Sequence, residues 1–377
     1  MMKTIYKNGM LSQNGQWTKM DFLVEDDLIV KMDSMIQDET SSVVSIDGVH
    51  VIPGFFDIHT HGAMGYDFNM ASFDEMKIIM KFYLKNGVTS VLPTLLSDDV
   101  PTLILQLEKI ATLQSEFPQI KGIHLEGPFL APLYKGAMSE EYLQNASTDL
   151  FKKFQEAAKG LITLVTLSPE ITGANSLIKY LKAHNVCVSL GHSGASMEET
   201  EKAIQNGAES FTHSFNAMKP FDHHHPGIIN SLLTNDIYYE MICDGLHLHK
   251  DTVNLLVKLK GLSKAILVTD SIMATGAKDG DYFLGKTAIS VKNGVSRLKK
   301  SSVRAGSTLT PLLALQNFVS YTNTPFEKAI ELFSKNPASF LHLFNDIGSL
   351  EVSKKANFIL LKNSEITSVY LEGIKIF

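Results

Sequence analysis

The chain has little with which to cross-link itself, enter a membrane or hold a nucleic acid. Its 377 residues include only 2 cysteines. Cys187 and Cys243 sit in apolar runs, NVCVSL and EMICDG, where a small buried thiol is expected rather than a disulfide or a metal ligand. No apolar stretch reaches the roughly 18 residues of a membrane span. The opening MMKTIYKNGM has no apolar core behind its basic residues, so a secretory signal is not expected and a cytoplasmic protein is. No long Lys/Arg run offsets the formal charge of -6, which excludes a general nucleic-acid binder. The pairs Lys299-Lys300 and Lys354-Lys355 are too short to form a basic face. A small anionic ligand remains open, because a few local donors bind one phosphate whatever the global charge. Tandem repeats are also absent, as is low complexity beyond the three histidines 223–225.

What is present suits a large globular core: 44% of residues are hydrophobic and 20% charged. The length fits one barrel of roughly 250 to 300 residues plus a modest second unit. Residues 1–52 show short alternating runs (TIYKNGML, DFLVEDDLIV, SSVVSIDG) punctuated by Asn-Gly, Asp-Asp and Asp-Gly, the texture of β-hairpins. The segment 345–377 repeats it with ANFILL and ITSVYLEGIKIF. Both ends are expected to pair into one small β-sandwich beside a main domain at 53–344.

Between the ends, short β-branched runs alternate with longer stretches of helical period. Strands are predicted at 55–59, 88–92, 121–125, 161–167, 186–190, 209–213, 238–243 and 265–269, and helices at 72–85, 99–115, 146–158, 174–184, 196–206 and 250–260. Buried parallel strands alternating with helices point to a (β/α)8 TIM-type barrel. An open doubly wound sheet is the alternative, but no GxGxxG follows the first strand.

His59, His61, His192 and His213 all fall at or just after the C-terminal end of a predicted strand, as do Glu126 and Asp270. In a barrel these ends converge on the face where active sites form. His59-Thr60-His61 places two imidazoles at i and i+2 on one side of an extended chain, with Cα atoms about 6.6 Å apart, so two nitrogens can chelate one ion. Taken alone, the pair reads as a polar strand end, but an apolar strand that delivers two histidines is hard to explain by packing. Glu126 projects from a turn fixed by Gly127-Pro128. Its bland reading is a capping carboxylate. His124, two residues earlier, is expected to be a hydrogen-bonded core histidine. His192 and His213 precede Ser, Gly or Asn, residues suited to a turn near a ligand. With Glu126 they supply three N/O ligands and leave a position for water, the arrangement of a catalytic site. Asp270 follows four apolar residues and must be paired, hydrated or beside a cation. Near an activated water it is placed as a general base.

These segments resemble the amidohydrolase superfamily and, within it, the N-acetylglucosamine-6-phosphate deacetylases. From about residue 45 to 315, PGFFDIHTHG, HLEGPFL, KGA, TLSPE, GHSGAS, THSFNAMKP, ICDGLHLH, LVTD and AGSTLT occur in family order. The resemblance implies a divalent metal ion, zinc or iron, held by Glu126, His192 and His213, with a second ion or extended site at His59 and His61. It implies Asp270 as acid/base, and an amino-sugar substrate contacted by Asn216, Ala217, His247 and Gly306, with Ala137 and Met138 beside it. It also implies a homodimer whose neighbour helps complete the sugar-phosphate pocket. The expected reaction is hydrolysis of the acetamide to acetate and an amino sugar.

The family usually has a histidine where this chain has Met138, and a thioether donates no hydrogen bond. Where it usually has the arginine that contacts phosphate, this chain has His224, without the guanidinium fork or its permanent charge. The alternative is therefore a deacetylase of another N-acyl amino sugar. A cyclic-amide hydrolase is disfavoured because LITLVTLSPE lacks the lysine that usually bridges two metals in that class. A non-catalytic sugar-binding relative is disfavoured by the intact metal-type residues and Asp270.

Overall fold

Eight short strands pair in parallel, each with its neighbour in sequence. They are β1 (Phe55–Thr60), β2 (Val88–Leu96), β3 (Ile123–Glu126), β4 (Ile162–Leu167), β5 (Cys187–Leu190), β6 (Ser210–Phe211), β7 (Tyr238–Met241) and β8 (Ala265–Leu267). The computed structural model describes residues 3–301 and 303–377. Met1, Met2 and Ser302 lie outside the described residues, so the predicted N-terminal piece 1–52 is seen from Lys3. The chain just beyond β8 returns to β1: Asp270 N–H donates to the His59 carbonyl at 2.9 Å and His61 N–H to the Ser271 carbonyl at 2.7 Å. The sheet thus curls into a nearly closed ring, consistent with a TIM-type barrel. Every residue of β1 and β2 is buried, as expected of parallel strands covered on both faces.

The covering helices start where the sequence supplies caps. Ser72 and Glu75 form a reciprocal capping box at Phe73–Lys85, and Ser196 and Glu199 another at Met197–Asn206. Asp99 caps Val100–Leu113, and Ser147 caps Thr148–Ala157. Each such side chain satisfies backbone N–H groups that the first helical turn leaves free. Ser196 is exposed and bonds only locally, so Ser196→Ala is expected to cost about 1 kcal/mol, read as a lowered urea midpoint at unchanged activity. The helix Ile228–Thr234 was not among the predicted ones. Its seven residues show too little of a 3.6 period to be told from loop.

Both chain ends do meet, in one continuous hydrogen-bonded sheet rather than two stacked ones. Strands Phe358–Lys362 and Glu365–Leu371 join the N-terminal strands through His50–Pro53, which pairs antiparallel with Phe358–Lys362. The sheet bends so that Tyr6 lies 5.1 Å from Phe358 and 5.4 Å from Tyr370, ring centre to ring centre. These rings form a separate core with Phe22, Ile29 and Val51. His50–Pro53 runs through Gly54 straight into β1, which couples this sheet to the barrel.

A small sheet was also not foreseen. Between β8 and the helix Pro311–Thr322, strands Gly280–Leu284, Thr287–Lys292 and Val295–Leu298 form an antiparallel sheet. Its second turn is Asn293-Gly294, both at positive φ, a strong hairpin signal in the sequence. Leu284, Ile289 and Val291 from it pack on Leu96, Met138 and Ile272. It therefore walls one side of the barrel mouth.

Candidate active site

Three of the predicted metal-ligand and acid/base residues sit at sharp breaks in the backbone. His192, His213 and Asp270 have φ of 48°, 26° and 47°, a left-handed conformation that residues other than glycine rarely hold and that clusters at functional sites. This is why β6 and β8 stop at Phe211 and Leu267, short of the predicted 213 and 269. Gly306 presses its loop against the same turn. A Cβ there would lie 2.3 Å from Ile272 Cγ2 and 2.9 Å from the Asp270 carbonyl, so the close approach requires glycine.

Six residues from five strand ends come together here. Glu126 Oε1 lies 3.0 Å from His213 Nε2, 3.1 Å from His192 Nε2 and 3.3 Å from His59 Nε2. Glu126 Oε2 lies 3.5 Å from His61 Nε2. Asp270 Oδ1 lies 3.1 Å from His61 Nε2 and 3.8 Å from His59 Nε2. His192 and His213 face each other, Nε2 to Nε2, at 3.0 Å. All six side chains are buried.

The donor pattern fits a cation. His192 Nδ1 faces the Tyr134 carbonyl at 2.9 Å and His61 Nδ1 the Thr94 carbonyl at 3.3 Å. Carbonyls only accept, so these nitrogens carry the protons and the Nε2 lone pairs point inward. His59 does the same, giving its Nδ1 proton to Glu240 Oε2 at 3.0 Å and leaving Nε2 buried without a hydrogen-bond partner. Inward lone pairs beside two carboxylates repel unless positive charge lies among them. Two adjoining sets in this site can hold an ion, Glu126, His192 and His213, and His59, His61 and Asp270.

The charges follow the same geometry. Where the rings carry a second proton on Nε2 instead of facing an ion, burial pushes the Glu126 carboxyl up, but the His59 charge and hydrogen bonds from His192 and His213 outweigh it, and it is held well below the usual carboxylate range. Asp270 is likewise held low, with the His61 hydrogen bond and the His59 charge overcoming burial. Burial, with the His59 charge second, drives His124 well below the ordinary histidine value. His124 makes contacts of 2.8 Å to Thr166 Oγ1 and 3.3 Å to Thr94 Oγ1, the core histidine expected. Cys187 and Cys243 are free thiols, buried as expected.

A cavity of about 220 Å³ opens over the carboxylates. Ala137, Met138, Asn216, Ala217, His247 and Gly306 line it, so these predicted contacts share one site. His224 is not brought to it. It is exposed on the 221–226 loop, its N–H donating to Asp222 Oδ1 at 2.8 Å and its ring 3.9 Å from that of His223. Met138 turns its sulfur to the Ser97 hydroxyl at 3.1 Å. Two supports were missed in the sequence. Glu170, in the TLSPE segment, accepts from Ser193 Oγ at 2.8 Å and Gly194 N–H at 2.6 Å, bracing the turn after His192. Glu240, inside β7, ties down both His59 and His213. A carboxylate amid the apolar YYEMIC was the available signal.

A nearly closed parallel barrel with histidines and carboxylates at its strand ends defines a class, the amidohydrolases, and residues 50–375 match the Amidohydrolase family model. The N-acetylglucosamine-6-phosphate deacetylase of Bacillus subtilis (strain 168) is 36% identical over 320 residues, covering 83% of this chain and 81% of that one. That of Bos taurus is 32% identical over 387 residues, covering 98% and 93%. The Thermotoga maritima enzyme of the same name superposes with a TM-score of 0.90 at 31% identity, covering 99% of both chains. The Mycobacterium smegmatis deacetylase, solved as a mutant in complex with N-acetyl-D-glucosamine-6-phosphate, superposes with a TM-score of 0.92 at 27% identity over 100% of this chain and 99% of that one. The chain belongs to the N-acetylglucosamine-6-phosphate deacetylase family of amidohydrolases.

Proposed function

We propose that this protein hydrolyses the acetamide of N-acetylglucosamine-6-phosphate to glucosamine-6-phosphate and acetate, with Glu126, His192 and His213 holding a divalent ion and His59 and His61 extending that site. The observation that carries the proposal is the set of inward-facing imidazole nitrogens around Glu126 and Asp270 at the floor of the cavity. A divalent ion there supplies Lewis-acid polarisation of the acetyl carbonyl and lowers the pKa of water to about 7. Asp270 takes the proton of the attacking water and returns it to the amine nitrogen as that leaves. Asn216, Ala217, His247 and Gly306 surround the sugar, and Ala137 and Met138 shape the opposite wall. Zinc or iron, one or two ions per subunit, suits this N/O ligand set.

The same reading takes the fold as a (β/α)8 barrel over 53–344 flanked by sheet segments 1–52 and 345–377, in a cytoplasmic homodimer. Among the described residues no helix is long and apolar enough to cross a membrane. Among the described residues no lysine lines the cavity, which disfavours a cyclic-amide hydrolase built on a bridging lysine. Met138 and the remote His224 favour, as a second reading, an N-acyl amino sugar without the phosphate.

Metal content and acetate release, measured on N-acetylglucosamine with and without its 6-phosphate, test both. The expected outcome is turnover of the phosphorylated sugar that falls more than about 100-fold on chelation and returns with a divalent ion. Failure of metal-replete protein to deacetylate either sugar overturns the proposal. Equal rates on both favour the second reading.

A further inference from the structure

The chain has two arginines, Arg297 and Arg304, and one of them lies in the site. Arg304 lines the same cavity as Glu126 and Asp270 and is its only Lys or Arg side chain among the described residues. It stands two residues before Gly306, the glycine pressed against the Asp270 turn, and antiparallel to Arg297 at the edge of the unforeseen three-stranded sheet. Its Nε is buried without a hydrogen-bond partner. Nearby cations are already engaged: Lys286 is tied to Asp98 and Asp99, and Lys135 faces Glu140 at 3.5 Å.

We infer that Arg304 is the anion anchor of this site and binds the negatively charged substituent of the substrate, the part assigned by resemblance to position 224. A partly buried guanidinium with an unused donor in a ligand cavity costs free energy until an acceptor arrives. A phosphate supplies acceptor oxygens matched to the guanidinium fork, in a charge-assisted pair stronger than a neutral one. Within the single chain, His224 is exposed and does not line this cavity. The insert that leads into Arg304 thus has a purpose beyond walling the mouth: it brings a permanent positive charge to the cavity. The inference rests on the deacetylase reading and adds to it a residue that selects the phosphorylated sugar.

The test compares Arg304→Ala, Arg304→Lys and His224→Ala in metal-replete protein, by acetate release from both sugars and by calorimetric titration with inorganic phosphate. Arg304→Ala is expected to raise KM for the phosphorylated sugar about 30-fold with little change in kcat, and to leave KM for the plain sugar unchanged. Arg304→Lys should recover part of the difference, and phosphate binding should weaken in parallel. An Arg304→Ala protein that keeps the wild-type KM ratio and phosphate affinity overturns the inference, as does a larger loss in His224→Ala. Wild-type protein that deacetylates neither sugar overturns the deacetylase reading instead. In that case loss of phosphate binding in Arg304→Ala would still support the anchor, and its retention would refute it.

Discussion

Asp270→Asn is expected to lower kcat by about 10²- to 10⁴-fold while KM changes by only a few-fold and the ion at Glu126, His192 and His213 is retained. The amide has the shape of the carboxylate and can sit in the same left-handed turn, fixed by the Asp270 N–H to His59 carbonyl and Ser307 N–H to Asp270 carbonyl bonds. It cannot accept a proton from water. The native carboxylate, held below the usual range by His61 and His59 despite burial, is ionised at neutral pH and available as a base. Steady-state kinetics with metal analysis of the same preparation separates this role from ligation. A kcat within tenfold of wild type removes Asp270 from the proton path. Loss of metal equal to the loss of rate makes it a ligand first.

The fold was legible in the sequence where periodicity and chemistry agreed. Strand, helix and turn alternate with strongly buried runs, and Ser72, Asp99 and Ser196 stand where caps belong. The metal-type residues were legible because paired histidines and lone carboxylates are costly at the ends of apolar strands. What was not legible has physical reasons. Curling of the end strands into one sheet depends on Tyr6 meeting Phe358 and Tyr370, contacts that no local pattern encodes. The three-stranded insert was hidden because its strands are half exposed and mildly polar, although Asn293-Gly294 marked its turn. His224 was read by position in the sequence alone, and in the single chain it lies on an exposed loop away from the cavity.

Glu240→Ala is expected to weaken divalent-metal affinity by about 10- to 100-fold and to lower activity at limiting metal, with recovery as the ion is raised. Glu240 is fully buried in β7 between Tyr239 and Met241. Its Oε2 accepts from both His59 Nδ1 and His213 N–H at 3.0 Å, while Oε1 has no partner. Removing it frees the His59 ring, strips the acceptor that keeps the proton on Nδ1, and loosens the turn that aims His213. No lysine or arginine pairs with it among the described ion pairs, so the positive charge that offsets its burial is the histidine and metal centre itself. Glu240→Gln separates geometry from charge. Its amide oxygen can take the Oε2 position and accept both hydrogen bonds, so ring and turn stay in place while the negative charge is lost. Glutamine is therefore expected to fall between wild type and alanine in metal affinity, measured by competition with a coloured chelator. If alanine binds metal as tightly as wild type but unfolds at lower urea, Glu240 is a structural strut. If glutamine is as weak as alanine, charge rather than orientation is what this strand contributes to the site.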